Sequence, residues 1–85
     1  MKVSVEISMY PLNEDFGEPI LNFIKSLKTN TALSVKTNSM STQVFGEYQD
    51  VMSALQKDME PVFADKMKTV MVMKFINADL DYNFE

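Results

Sequence analysis

The chain has 85 residues and contains neither cysteine nor histidine, and each absence removes a class of chemistry. Without cysteine there is no disulfide, no thiolate metal site and no cysteine nucleophile. Without histidine, one chain cannot build a histidine-based triad or a histidine zinc site. Arginine is also missing: all eight basic residues are lysines, set against twelve acidic residues, for a net charge of −4. That balance, with no guanidinium to grip phosphate or guanine, argues against nucleic acid as a partner. Gly17 and Gly46 are the only glycines, too few for a glycine-rich phosphate loop. No segment approaches the roughly 20 apolar residues of a membrane span, so no membrane partner is expected. Met1-Lys2-Val3-Ser4-Val5-Glu6 lacks the continuous apolar stretch of a signal peptide, and the chain reads as cytoplasmic.

The residues that are present are dispersed. Met9, Met40, Met52, Met59, Met67, Met71 and Met73 occupy scattered apolar positions, as fillers of an irregular core do. A copper site would gather thioethers with histidine or cysteine. Glu14, Asp15 and Glu18 read as partners of a helix N-terminus, and Asp79, Asp81 and Glu85 as a polar tail. None has the spacing of a calcium loop, and no carboxylate pair is singled out for hydrolysis. No metal, cofactor or enzymatic activity is expected.

Residues 1–85 make one domain, which at this size buries only about 60–65% of the surface its unfolded chain exposes. Association is a natural source of further burial. Val3, Val5, Ile7 and Met9 alternate with Lys2, Ser4, Glu6, Ser8 and Tyr10, the period of a strand with one buried face, and Pro11 ends it. Phe16, Ile20, Phe23, Ile24 and Leu27 recur at helical spacing, with Asp15 or Gly17 as N-terminal cap, Pro19 in the first turn and Asn30 as the stop. Ala32 to Lys36 predicts a short second strand and Met40 to Phe45 a third, ended by Gly46. Val51, Met52, Leu55, Met59, Val62 and Phe63 line a second helix, which Pro61 breaks or kinks near its end. Lys68 to Ile76 completes the sheet. The order βαββαβ is that of the ferredoxin-like fold, an α+β class with both helices on one face of an antiparallel sheet ordered 4-1-3-2.

That topology brings the end of the first strand beside the start of the third. Ser8 and Tyr10 are therefore expected near Ser41 and Thr42, with the turn of Asn38 and Ser39 opening at the same end and Thr69 arriving there. The hydroxyl-rich run Asn38-Ser39-Met40-Ser41-Thr42 suits hydrogen bonding to a small polar ligand better than it suits a nucleophile. Ser4, Ser34 and Thr37 read as surface fillers. Glu47, following Gly46, reads first as a carboxylate at a helix N-terminus. Glu6 lies mid-strand on the face opposite Val5 and Ile7, where it must be solvated, paired or facing a cation.

Three elements in order, the Tyr10-Pro11-Leu12 turn after the first strand, Met40-Ser41-Thr42, and Gly46-Glu47 before the second helix, resemble the YkoF-type family of small thiamine or hydroxymethylpyrimidine-binding proteins. The likeness extends over nearly the whole chain. It implies a non-enzymatic small-molecule binder in which Ser41, Thr42 and Asn38 supply hydrogen bonds, Tyr10 or Phe45 a stacking ring, and Glu6 or Glu47 a carboxylate for the thiazolium, with Ser8 and Ser39 alongside. The alternative from another class is a structural or regulatory module whose hydroxyls satisfy the backbone. The fourth strand is apolar on both faces, Val70, Val72 and Ile76 on one and Met71, Met73 and Phe75 on the other. One set faces the helices and the other an open sheet face, a candidate interface. The resemblance implies sheet-to-sheet assembly, here a homodimer or homotetramer, with Glu6, Ser8 and Ser41 enclosed between subunits.

Overall fold

Period-two alternation forms strand β1 (Lys2–Pro11) in the computed structural model, which describes residues 1–82. Helix α1 (Gly17–Lys28) then buries Phe23, Ile24 and Leu27. Strands β2 (Ser34–Thr37) and β3 (Thr42–Glu47), helix α2 (Tyr48–Ala64) and strand β4 (Thr69–Ile76) follow. The sheet is antiparallel in the order β2-β3-β1-β4, the expected ferredoxin-like arrangement. Val3, Val5 and Ile7 of β1 and Val44 of β3 meet Phe23 and Leu27 of α1 and Val51, Ala54 and Leu55 of α2 in one core, so both helices cover the same face. Among the described residues no helix is long and apolar enough to cross a membrane.

Several boundaries differ from the sequence reading. Gly46 does not end β3; it pairs with Val3 inside the sheet. A β-carbon there would lie 3.1 Å from Leu33 Cδ2 and 3.4 Å from the Ala32 carbonyl oxygen, so the glycine admits the chain entering β2. Helix α2 continues past Pro61 to Ala64. The carbonyl that proline leaves without an amide belongs to Lys57, an exposed residue that water can serve. At the start of α1 the cap position falls on Phe16, with no side-chain cap from Asp15 or Gly17. Asn13 Oδ1 instead accepts the Asp15 N–H at 3.1 Å and shapes the approach to the helix.

The face of the sheet away from the helices is half covered. Ser4 Oγ donates to the Ala78 carbonyl at 2.7 Å and accepts the Leu80 N–H at 2.9 Å, and Asp81 Oδ1 lies 2.8 Å from Lys36 Nζ. Residues 78–82 thus form a strap across this face, where the sequence suggested a free polar tail; Glu85 lies outside the described residues. Beneath the strap Ser4 and Phe45 are only 5% and 6% exposed. Ser4 is therefore a buried bracket and not a surface filler. In β4 the pairing of Met71 with Met9 and Met73 with Ile7 turns both methionines to the core, while Val70, Val72 and Ile76 are exposed on the open face.

Candidate functional site

Strand β1 outruns β3. Ile7 pairs with Thr42, the first residue of β3, while β1 continues along β4 to Pro11. The extra length, the β2–β3 turn and the first half of α1 enclose a cavity of about 460 Å³. Ile7, Met9, Ile20 and Ile24 line it with the rings of Phe16 and Phe23, while Thr37, Asn38, Ser39 and Thr42 supply the polar wall and Ser41 borders it with its hydroxyl turned elsewhere. Tyr10, Leu12 and Met40 border it and are largely exposed.

The polar wall is held by the tight hairpin. Thr37 pairs with Thr42, so their side chains share a face, and the two hydroxyl oxygens lie 3.1 Å apart. Thr37 Oγ1 also lies 3.4 Å from the Ser41 carbonyl, which ties the pair to the turn, and either hydroxyl of the pair can donate to the other. Asn38 Oδ1 accepts the N–H groups of Met40 at 2.8 Å and Ser41 at 3.0 Å, fixing the turn and leaving its amide nitrogen as the group with donors to offer. Ser39 is exposed at the turn.

The other expected residues lie elsewhere, because neighbours in a strand point to opposite faces. Ser41 Oγ turns to the open face and donates to Glu6 Oε2 at 3.0 Å, while Glu6 Oε1 lies 2.8 Å from Lys74 Nζ. The Lys74 ammonium first, and the Ser41 hydroxyl second, hold the Glu6 carboxyl below its ordinary range, and Glu6 in turn raises Lys74. Ser8 and Tyr10 flank Val72 and Val70 on that same face. The expected single cluster is thus two, with the sheet between them. Glu47 belongs to neither. It is five positions along β3 from Thr42, roughly 17 Å at strand rise, at the N-cap position of α2, where its carboxylate makes no cap bond and instead binds the terminal ammonium of Met1 at 2.9 Å. That ammonium holds its carboxyl below the ordinary range. Thr69 pairs with Pro11 at the site's end of the sheet, but it lines a different hollow, between the start of α1 and the end of α2, and its hydroxyl has no partner among the described residues.

Sequence reading passed over Thr37, Phe16, Phe23 and Lys74 as parts of either cluster. A signal existed for Thr37, since two residues flanking a short hairpin turn share a face. Lys74 lay on the parity of Glu6 once the β1–β4 register is known, but register is not a local property.

Three solved structures share this architecture. A hypothetical protein from Methanocaldococcus jannascii is 25% identical, with a TM-score of 0.77 over 98% of this chain and 87% of its own. A Thermotoga maritima protein provisionally assigned to thiamine biosynthesis or salvage is 22% identical, with a TM-score of 0.76 over 88% of this chain and 82% of its own. A Streptococcus pneumoniae protein is 20% identical, with a TM-score of 0.83 over 94% of this chain and 90% of its own. No curated protein matches the chain significantly. The profile of the YKOF-related family matches residues 2–78, the span that carries every strand and both helices, and the chain belongs to that family.

Proposed function

We propose that this protein binds thiamine or its hydroxymethylpyrimidine part without transforming it, in the cavity beneath the β2–β3 turn. The observation that carries the reading is the cavity itself: about 460 Å³, walled by Phe16 and Phe23, with the Thr37 and Thr42 hydroxyls on one side. Binding sites for small ligands have volumes of this order, with apolar walls and a few convergent polar groups. A flat aminopyrimidine supplies faces for the rings and an amino group for the lone pairs of Thr42. Membership of the YKOF-related family and the assignment of the Thermotoga relative to thiamine biosynthesis or salvage support the same ligand class. No nucleophile and base stand together at this cavity, which supports a binding role over an enzymatic one. The protein acts in the cytoplasm as a homodimer or homotetramer joined through the exposed strip of Val70 and Val72, which places Glu6, Ser8 and Ser41 near the subunit boundary.

Thermal scans of the full chain with thiamine, hydroxymethylpyrimidine and, as a control, pantothenate test the reading. A ligand that binds only the folded state stabilises it by about 2.7 kcal/mol at a hundredfold excess over Kd. The first two compounds should raise Tm and pantothenate should not. An unchanged Tm at millimolar thiamine and hydroxymethylpyrimidine would favour the second reading, a structural module without a ligand. That reading draws on one observation: the Asn38 carbonyl and the Thr37 and Thr42 hydroxyls already bond to one another or to the backbone.

A further inference from the structure

None of the residues lining the cavity is charged, although 20 of the 85 residues of this chain are acidic or basic. Of the lysines adjacent in sequence to lining residues, neither Lys25 nor Lys36 lines the cavity: Lys25 is on the exposed side of α1 while Ile24 beside it is buried. Lys36, next to Thr37, is on the open face with its ammonium 2.8 Å from Asp81 and 5.7 Å from the Phe45 ring centroid. Lys68, whose carbonyl accepts the Leu12 N–H at 2.9 Å, is exposed and does not line the cavity. The start of α1 does not replace the missing cation. A helix N-terminus attracts anions through its free N–H groups, but the first turn here carries Glu18 and Pro19, and neither they nor Gly17 line the cavity. The loop between Leu12 and Phe16, both at the cavity, carries Glu14 and Asp15, neither of which lines it; Asp15 lines the neighbouring hollow with Glu18.

From this distribution we infer that the cavity selects its ligand by charge: it accepts the unphosphorylated heteroaromatic alcohol and rejects the corresponding phosphate monoester. A phosphate carries close to two negative charges near neutral pH. Placed against this wall it loses hydration with no ammonium or guanidinium to compensate, on a chain of net charge −4. The inference rests on the cavity being the binding site proposed above.

Calorimetric titration of the full chain with hydroxymethylpyrimidine, its phosphate monoester and its neutral acetate ester tests this. The phosphate ester should bind about 100-fold more weakly than the alcohol, a difference of about 2.7 kcal/mol, and the acetate ester within about tenfold of it. Met40 is 86% exposed at the rim, and Met40→Lys should recover about tenfold in affinity for the phosphate ester. Equal binding of alcohol and phosphate ester would overturn the inference and leave the proposed function standing. Equal rejection of acetate and phosphate esters, or no recovery in Met40→Lys, would assign the discrimination to size and overturn it likewise. Failure of the alcohol itself to bind would overturn the function and this inference together.

Discussion

Thr42 is 6% exposed, and its hydroxyl lies 3.1 Å from that of Thr37, so a valine in its place removes a bond from the fold and a group from the cavity at once. Thr42→Val should cost about 1 kcal/mol of fold stability, since Thr37 is exposed enough to rehydrate, and about 1–2 kcal/mol of ligand affinity. Urea unfolding and calorimetric titration separate the two, and unchanged affinity would assign Thr42 to the fold alone. Ser4→Ala is the instructive companion. From the sequence a mid-strand serine on the polar face is a surface filler whose loss should alter neither property. In the folded chain Ser4 bonds Ala78 and Leu80, so the alanine should cost about 1 kcal/mol and accelerate amide exchange at Leu80, with affinity untouched. A serine's partner 74 or 76 residues away leaves no mark on the residues around it.

At the scale of elements, the two faces of β4 are chemically alike and structurally opposite. The sequence shows Val70, Val72 and Ile76 on one side and Met71, Met73 and Phe75 on the other, without saying which meets the helices. Pairing with β1 decides it, because Ile7 and Met9 already face the core and carry Met73 and Met71 with them. Met73→Lys should therefore destabilise the domain, since it presses an unpaired ammonium against the core where Met73 is partly buried. Val72 is 51% exposed on the open face. Val72→Lys should keep the monomer's melting curve and abolish self-association in sedimentation velocity. Wild-type chain sedimenting as a monomer at high micromolar concentration would sink the interface. Gly46 and Pro61, two residues read as breaks, are both accommodated inside their elements. A break signal describes what a residue cannot do alone, whereas Gly46 answers to Leu33 beside it at the entry to β2, and the carbonyl that Pro61 leaves free belongs to the exposed residue Lys57.

For the whole molecule, stability and pH are linked through its surface ion pairs. Glu6, Glu47 and Asp81 have carboxyls lowered by Lys74, the Met1 ammonium and Lys36 respectively. A lowered folded-state pKa contributes stability above the unfolded value, 4.5 for glutamate and 3.8 for aspartate, and that contribution disappears as pH falls through the folded value. Lys74 is raised, so its contribution is present below 10.5 and disappears as pH rises through its folded value. Tm should stay level between about pH 5.5 and 7 and fall on acidification, by a small amount because these groups are exposed or half-exposed. Melting curves from acid to neutral pH, at low and high salt, check this; Asp81→Asn should shallow the acid slope, and a Tm that rises on acidification would contradict the assignment. The sequence alone was enough to establish the missing chemistries, the order of elements, the sheet topology and the alternation of faces, because composition and a period of two or 3.6 are local properties. Only the tertiary structure decided that β4 turns its methionines inward, that Ser4 holds a strap, that Glu47 stands at the far end of the sheet, and that Ser41 and Thr42 serve different clusters. Adjacent strand residues are close in sequence but lie on opposite faces, and what each face meets is set by contacts dozens of residues away.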